Sequence, residues 1–168
     1  MNFSPFSGII RFVGLVLLQV LIFNRMNLFG LINPMVYILF LYWYPLKENR
    51  SGLLGWAFAL GFVIDLFSDT MAMHTAACIT AAFFRPAIMR FVFGINLEFQ
   101  NFSLPNSTRV QQFTFLALLI GVHHLIFFTL EIFSLTNLLL ILKRVLLTGV
   151  CTFIFSILLA ALFSARKT

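Results

Sequence analysis

Two acidic side chains four residues apart, Asp65 and Asp69, stand at the far end of a stretch that otherwise reads as a membrane span. Paired carboxylates suit general acid–base chemistry, as in membrane aspartyl peptidases, but that chemistry needs two acids sharing one site. Such acids usually come from different helices, whereas these lie one turn apart on one segment. A carboxylate in hydrocarbon costs about 3 kcal/mol or more, so Asp65 is expected to face protein or water. On a helical wheel it shares an arc with Ala57, Gly61, Ser68 and Asp69, while Leu53, Trp56, Leu60, Val63 and Phe67 take the opposite, greasy side.

The histidines invite a metal reading, which their spacing weakens. His123 and His124 are adjacent, so on a helix they project about 100° apart and do not chelate one ion comfortably from that helix. His124 is expected to share a face with Ala117, Gly121 and Glu131 and to make an inward polar hydrogen bond. No serine sits in the tight glycine turn of a hydrolase nucleophile, and the sequence contains no HExxH, phosphate-binding glycine loop or cofactor fingerprint. Little chain remains for a soluble catalytic domain, and the residues argue against an enzyme, a bound metal or a cofactor.

The elements that must position these groups are apolar. With 61% hydrophobic residues, 10% charged residues and 23 phenylalanines in 168, the chain cannot hide its apolar surface in one water-soluble core. It reads as an all-α integral membrane protein, a single domain over residues 1–168. A span takes about 20 mostly apolar residues, and six are expected: Gly8–Phe23, Leu28–Leu46, Gly52–Ser68, Ala72–Phe93, Val110–Phe133 and Leu138–Ser164. The second is irregular, because Asn33-Pro34 interrupts its start and Pro45 closes it. Leu28–Asn33 is expected at the interface and Pro34–Tyr44 as a short helix, with Tyr37, Tyr42, Trp43 and Tyr44 as an aromatic anchor.

Basic residues orient the spans. With the N-terminus inside, the inner segments carry Arg11, Lys47, Arg50, Arg85, Arg90, Arg109, Arg166 and Lys167, and the outer ends only Arg25, Lys143 and Arg144. That asymmetry favours an N-in, C-in arrangement and makes the net charge of +6 a topology signal. Basic patches interleaved with base-stacking aromatics are not organised here, which argues against nucleic-acid binding. Arg11 lies within the first apolar stretch and Phe23-Asn24-Arg25 offers no small-residue cleavage site, so the first span is expected to stay as an anchor. Cys78 and Cys151 fall inside spans and are expected as buried reduced thiols.

This topology gathers a polar layer, Asp65, Asp69, His74, His124, Glu131, Lys143 and Arg144, towards the outer surface. Lys143 lies roughly 7–8 Å into the last span at helical rise. Lys143 or Arg144 is therefore expected to pair with Asp65, Asp69 or Glu131 and tie the outer helix ends together. Such a cluster is more often glue between helices than a site, though a partner or ligand site stays open. Small residues support packing: Ala57, Gly61 and Asp65 step by four, as do Ala72, Ala76 and Thr80, and Ala77 and Ala81. The inner connection Gly94–Arg109 alternates aromatics with polar groups and suits a membrane-surface segment near anionic lipid headgroups, or a contact for a cytoplasmic partner.

The stretch GLLGWAFALGFVIDLFSDTMAMHTAA, Gly52 to Ala77, resembles the signature of the rod shape-determining protein MreD family, whose third span carries Gly followed by Asp-Leu and a Ser before a short outer turn. Upstream, INPMVYILFLYWYPL, Ile32 to Leu46, is similar to that family's proline-bounded second span. Arg85-Pro86 and the run from His123-His124 to Glu131-Ile132-Phe133-Ser134 resemble a subset of its members. The family usually places glycine in the outer turn, whereas this chain has Asp69 at one such place and Ala72 near another. Glycine permits backbone angles that Asp tolerates less well and Ala poorly.

The resemblance implies a non-enzymatic component of the bacterial inner membrane, part of the elongation machinery that builds side-wall peptidoglycan. It implies binding to MreC, coupling of MreB filaments inside to RodA and a penicillin-binding transpeptidase outside, and a fold similar to the six-helix substrate-binding subunits of energy-coupling-factor transporters. That fold similarity raises the rival, a vitamin-binding transporter subunit with its ligand among the outer helix ends. Against it, the first span lacks a small-residue docking ladder: Gly8 and Gly14 are six apart among leucines.

Overall fold

The computed structural model describes residues 5–26, 28, 32–45, 49–94, 102–133 and 135–165. All regular elements among them are helices. Helix α1, Pro5–Leu18, runs through a π-helical turn, Gln19–Phe23, into Asn24–Met26. A 3-10 turn, Val36–Ile38, leads into the short α2, Leu39–Trp43. Then come α3 (Arg50–Ser68), α4 (Met73–Phe93), α5 (Arg109–Ile132) and α6 (Leu138–Ala165). Consecutive long helices pack on one another from α3 to α6, and α1 lies against α2 and α3.

Among the described residues five helices are long and apolar enough to cross a membrane, at 21, 19, 21, 24 and 26 residues. The second expected span, Leu28–Leu46, is a different object. Leu28 and Ile32 exchange backbone hydrogen bonds of 2.9 and 3.0 Å, and the helical part begins at Val36 rather than Pro34. Val36 through Leu41 are at most 1% exposed, so this segment is the buried centre of the bundle. Tyr37, Tyr42 and Tyr44 are buried with it, which corrects their expected role as an interfacial belt; only Trp43 keeps partial exposure. The physical reason is that non-helical backbone at membrane depth is tolerated only where protein encloses it and satisfies its polar groups.

That satisfaction is visible atom by atom. Gln19, 1% exposed at the start of the π-turn, donates to the Pro34 carbonyl at 3.0 Å and accepts from Val36 N–H at 2.9 Å. Thr152 Oγ1 accepts from Met35 N–H at 3.0 Å. At the other end of α2, Arg85 donates to the carbonyls of Tyr42, at 3.4 Å, and Tyr44. Arg85 was expected among the basic residues of the inner surface, yet it is 3% exposed, with its charge turned onto the negative end of α2.

The inward face of α3 is broader than the wheel suggests. Leu53 and Leu60, expected on the greasy side, are buried together with Ala57, Gly61, Ile64 and Asp65, whereas Phe58, Phe62, Leu66 and Phe67 face outward. The cause is that α3 is covered on two sides. Gly61 and Asp65 meet α4, while Trp56 packs on Phe12 of α1 and Phe40 of α2, with ring centroids 5.4 and 5.6 Å apart. Ala77 and Ala81 are fully buried, and Ala76 and Thr80 half-buried. Ala72 lies outside that strip, exposed and before the first turn of α4. Cys78 is buried and Cys151 half-buried, both as free thiols.

Local signals explain the helix ends. Asn49 Oδ1 accepts from Ser51 N–H at 3.2 Å to open α3, and Thr108 with Gln111 forms a reciprocal capping box at α5. Of the connection expected at the membrane surface, residues 95–101 lie outside the described residues; Phe102 packs on Phe93 at 4.7 Å and Leu104–Asn106 forms a 3-10 turn. Lys47, Arg166 and Lys167, used for orientation, also lie outside them.

Candidate functional site

The turn between α3 and α4 is where the polar residues concentrate. Its backbone is left-handed twice, at Asp69 (φ 53°, ψ 42°) and Ala72 (φ 59°, ψ 18°). A left-handed conformation costs an L-residue about 1–2 kcal/mol. Ala72→Gly is therefore expected to stabilise the protein by about 1 kcal/mol, read as a higher unfolding midpoint in detergent.

Asp65 holds this turn together. Its Oδ1 accepts from Thr70 Oγ1 at 2.5 Å and from His74 N–H at 3.0 Å. Its Oδ2 accepts from Thr75 N–H at 2.8 Å and Thr75 Oγ1 at 2.6 Å. His74 and Thr75 occupy the first turn of α4, where backbone N–H groups lack helical partners. Asp65 caps that helix from its neighbour, and its negative charge sits at the positive end of the α4 dipole. The close approach requires Gly61: a Cβ there would lie 2.4 Å from Thr75 Cα, 2.6 Å from Thr75 N and 2.7 Å from the His74 carbonyl oxygen.

Below the turn a second network spans three helices. Tyr37 Oη lies 2.6 Å from His74 Nδ1 and 2.9 Å from His123 Nε2, and all three residues are buried. One hydroxyl proton serves one of the two rings, so the other ring donates its own N–H to the Tyr37 oxygen. His124 turns away: its Nδ1 faces the Ile120 carbonyl at 3.0 Å and its Nε2 faces Thr152 Oγ1 at 3.1 Å. Nδ1 thus donates, Nε2 accepts from the Thr152 hydroxyl, and that hydroxyl in turn accepts from Met35 N–H. Ala117, Gly121, His124 and Glu131 lie along one stripe of α5, of which His124 is buried, Gly121 half-buried and the two ends exposed.

The anticipated polar layer accordingly divides. Asp65 and His74 sit together beneath the turn. Asp69 is exposed within it. Glu131 and Arg144 form an ion pair of 2.8 Å between α5 and α6, one of the pairings expected. Lys143 is exposed and makes no hydrogen bond or ion pair with the described residues. Neither basic residue reaches Asp65, because hydroxyl and backbone donors already fill it.

Sequence reasoning missed Thr70, Thr75, Gln19 and Thr152 as partners, and placed Tyr37 elsewhere. Two signals were present: Gln19 is the polar residue deep in an apolar first span, and Thr148, Thr152 and Ser156 recur every fourth residue in the last. Among the described residues, no group of three His, Cys, Asp or Glu side chains converges as metal ligands would.

Fold and site define a multi-pass helical membrane protein whose polar groups are spent largely on joining helices to one another. No family model, no curated protein and no solved structure matches the chain.

Proposed function

We propose that this protein is a non-enzymatic scaffold of the bacterial cell-elongation complex in the cytoplasmic membrane, of the MreD kind. In this reading it lies N-in and C-in, accepts the membrane anchor of MreC, and helps couple MreB filaments to RodA and its penicillin-binding transpeptidase in side-wall peptidoglycan synthesis. The observation that carries it is the Gly61–Asp65 staple. It sits inside the stretch, Gly52 to Ala77, on which the resemblance rests, and there it builds a rigid helical hairpin. Each of the two Asp65 oxygens accepts two hydrogen bonds within the fold, which argues against that carboxylate serving as a general acid or base.

The vitamin-transporter subunit is the weaker reading on the same geometry. The depression beside Asp65 is lined by Phe62, Asp65, Leu66, Asp69, Thr70, Met71 and Ala72, all from one hairpin. A small-molecule site gathers groups from several converging elements. Co-purification of the native protein from its own membrane in mild detergent, followed by mass spectrometry, distinguishes the two. MreC together with RodA or its transpeptidase is the expected result; a pair of ATPases with a membrane transducer would overturn the scaffold and establish the carrier.

A further inference from the structure

Where α6 passes Ile32, a small cleft of about 40 Å³ is lined by Ile32, Leu140, Lys143, Arg144, Leu147 and Thr148. By volume it admits about three water-sized groups, the size of the exposed oxygens of one phosphate. Its polar lining has unspent hydrogen-bonding capacity. Among the described residues the hydroxyl of Thr148, which is 1% exposed, has no partner, and Arg144 Nε is buried without one as well. Helical threonines ordinarily return their hydroxyl to the carbonyl one turn back. Thr114 and Thr129 of α5 do so, at 2.9 and 2.6 Å, whereas Thr148 does not.

Charge and depth point the same way. Lys143 and Arg144 carry two positive charges, and Glu131 on Arg144 Nη1 neutralises one. The remaining single charge matches a phosphodiester monoanion. The apolar span Leu138–Phe163 has 26 residues, about 39 Å of helix against a hydrocarbon thickness of about 30 Å. Set at the outer end, that surplus of about 9 Å carries the first turns as far as Lys143 out of the hydrocarbon, while Leu140 and Leu147 flank the basic pair on the same helix face.

We propose that Lys143, Arg144 and Thr148 form a binding site for the phosphate group of an anionic membrane lipid. Lys143 Nζ and Arg144 Nε donate to the phosphate oxygens, the Thr148 hydroxyl donates from below, and the leucines contact the acyl chains.

Native mass spectrometry of the full chain in mild detergent tests this, with dioleoylphosphatidylglycerol as probe, dioleoylglycerol as the phosphate-free control and inorganic phosphate as competitor. Phosphatidylglycerol adducts are expected on the wild type, with retention about tenfold lower in Lys143→Gln and in Thr148→Val. Arg25→Gln, an exposed charge removed elsewhere, is expected to leave them unchanged. Thr148→Val keeps the shape of the side chain and loses a hydroxyl without a partner, so its unfolding midpoint is expected to match or exceed the wild type. Displacement of the adduct by millimolar inorganic phosphate would assign the site to a soluble phosphate and overturn the lipid. Equal retention by wild type and variants, or of dioleoylglycerol, would overturn the site itself.

Discussion

Gly61→Ala is expected to destabilise the protein by about 3 kcal/mol, a large effect for one methyl group. The added carbon would meet Thr75 Cα at 2.4 Å, Thr75 N at 2.6 Å and the His74 carbonyl oxygen at 2.7 Å. All three are backbone atoms in the first turn of α4, so no side-chain rotation relieves the overlap. The helices must separate, and separation lengthens every bond that Asp65 makes across the same contact. Gly55→Ala is the matched control, since a Cβ there meets nothing within 4 Å. It is expected to be neutral or slightly stabilising through helix propensity. Reversible unfolding of both variants in mixed micelles measures the difference, and equal midpoints would show that α3 and α4 are not in backbone contact.

Asp65→Ala is expected to cost about 3–5 kcal/mol, combining a lost helix cap with buried donors left unsatisfied. The four donors are two backbone N–H groups, of His74 and Thr75, and the hydroxyls of Thr70 and Thr75. The hydroxyls can turn elsewhere, but the N–H groups point from a helix start and cannot. Asp65→Asn replaces one acceptor oxygen with an amide that faces a donor, and it removes the charge at the helix dipole; most of the loss is expected to remain. Asp69→Asn, at the exposed left-handed position, is expected to change stability by less than about 0.5 kcal/mol. Unfolding midpoints at constant detergent composition read the series. An Asp65→Ala midpoint equal to that of Asp69→Asn would remove Asp65 from the structural role given it here.

That Asp65 faces inward was legible in the sequence, because an isolated carboxylate in an apolar span must turn from lipid. Its partners were not legible. Two of its four donors are backbone N–H groups, and nothing in the identity of residues 74 and 75 marks their amides as orphans. Lys143 or Arg144 was expected to pair with Asp65, Asp69 or Glu131, and of these the structure forms the Arg144–Glu131 pair. The small residues Ala57 and Gly61 were readable as a packing strip, and the burial of both follows that strip. Left-handed geometry at Asp69 and Ala72 was not legible, because neither residue type asks for it.

The second segment failed for a different reason. Apolar composition between prolines predicts a span, and tyrosines near its end predict an interface. Neither pattern distinguishes a helix facing lipid from a short one enclosed by others. The deciding features lie in other segments: Gln19 in the π-helical turn after α1, Arg85 in α4 and Thr152 in α6 supply the hydrogen bonds that let residues 34–44 run partly unwound through the bundle. Long-range satisfaction of backbone groups leaves only a faint local trace, a single polar residue in an apolar run. Leu53 and Leu60 were misplaced similarly, since a wheel assigns one buried face and α3 has neighbours on two sides.

Gly61 and Asp65 act as one staple between α3 and α4, and a double-mutant cycle on unfolding free energies tests that most directly. Gly61→Ala, Asp65→Ala and the double variant, measured in the same micelles, are expected to show the double falling short of the summed single losses by about 1–2 kcal/mol. Once a methyl group has driven the helices apart, little of the cap remains for the second substitution to remove. Losses that add fully, or an Asp65→Ala variant as stable as the wild type, would contradict the staple and return Asp65 to the residues available for a ligand or for chemistry.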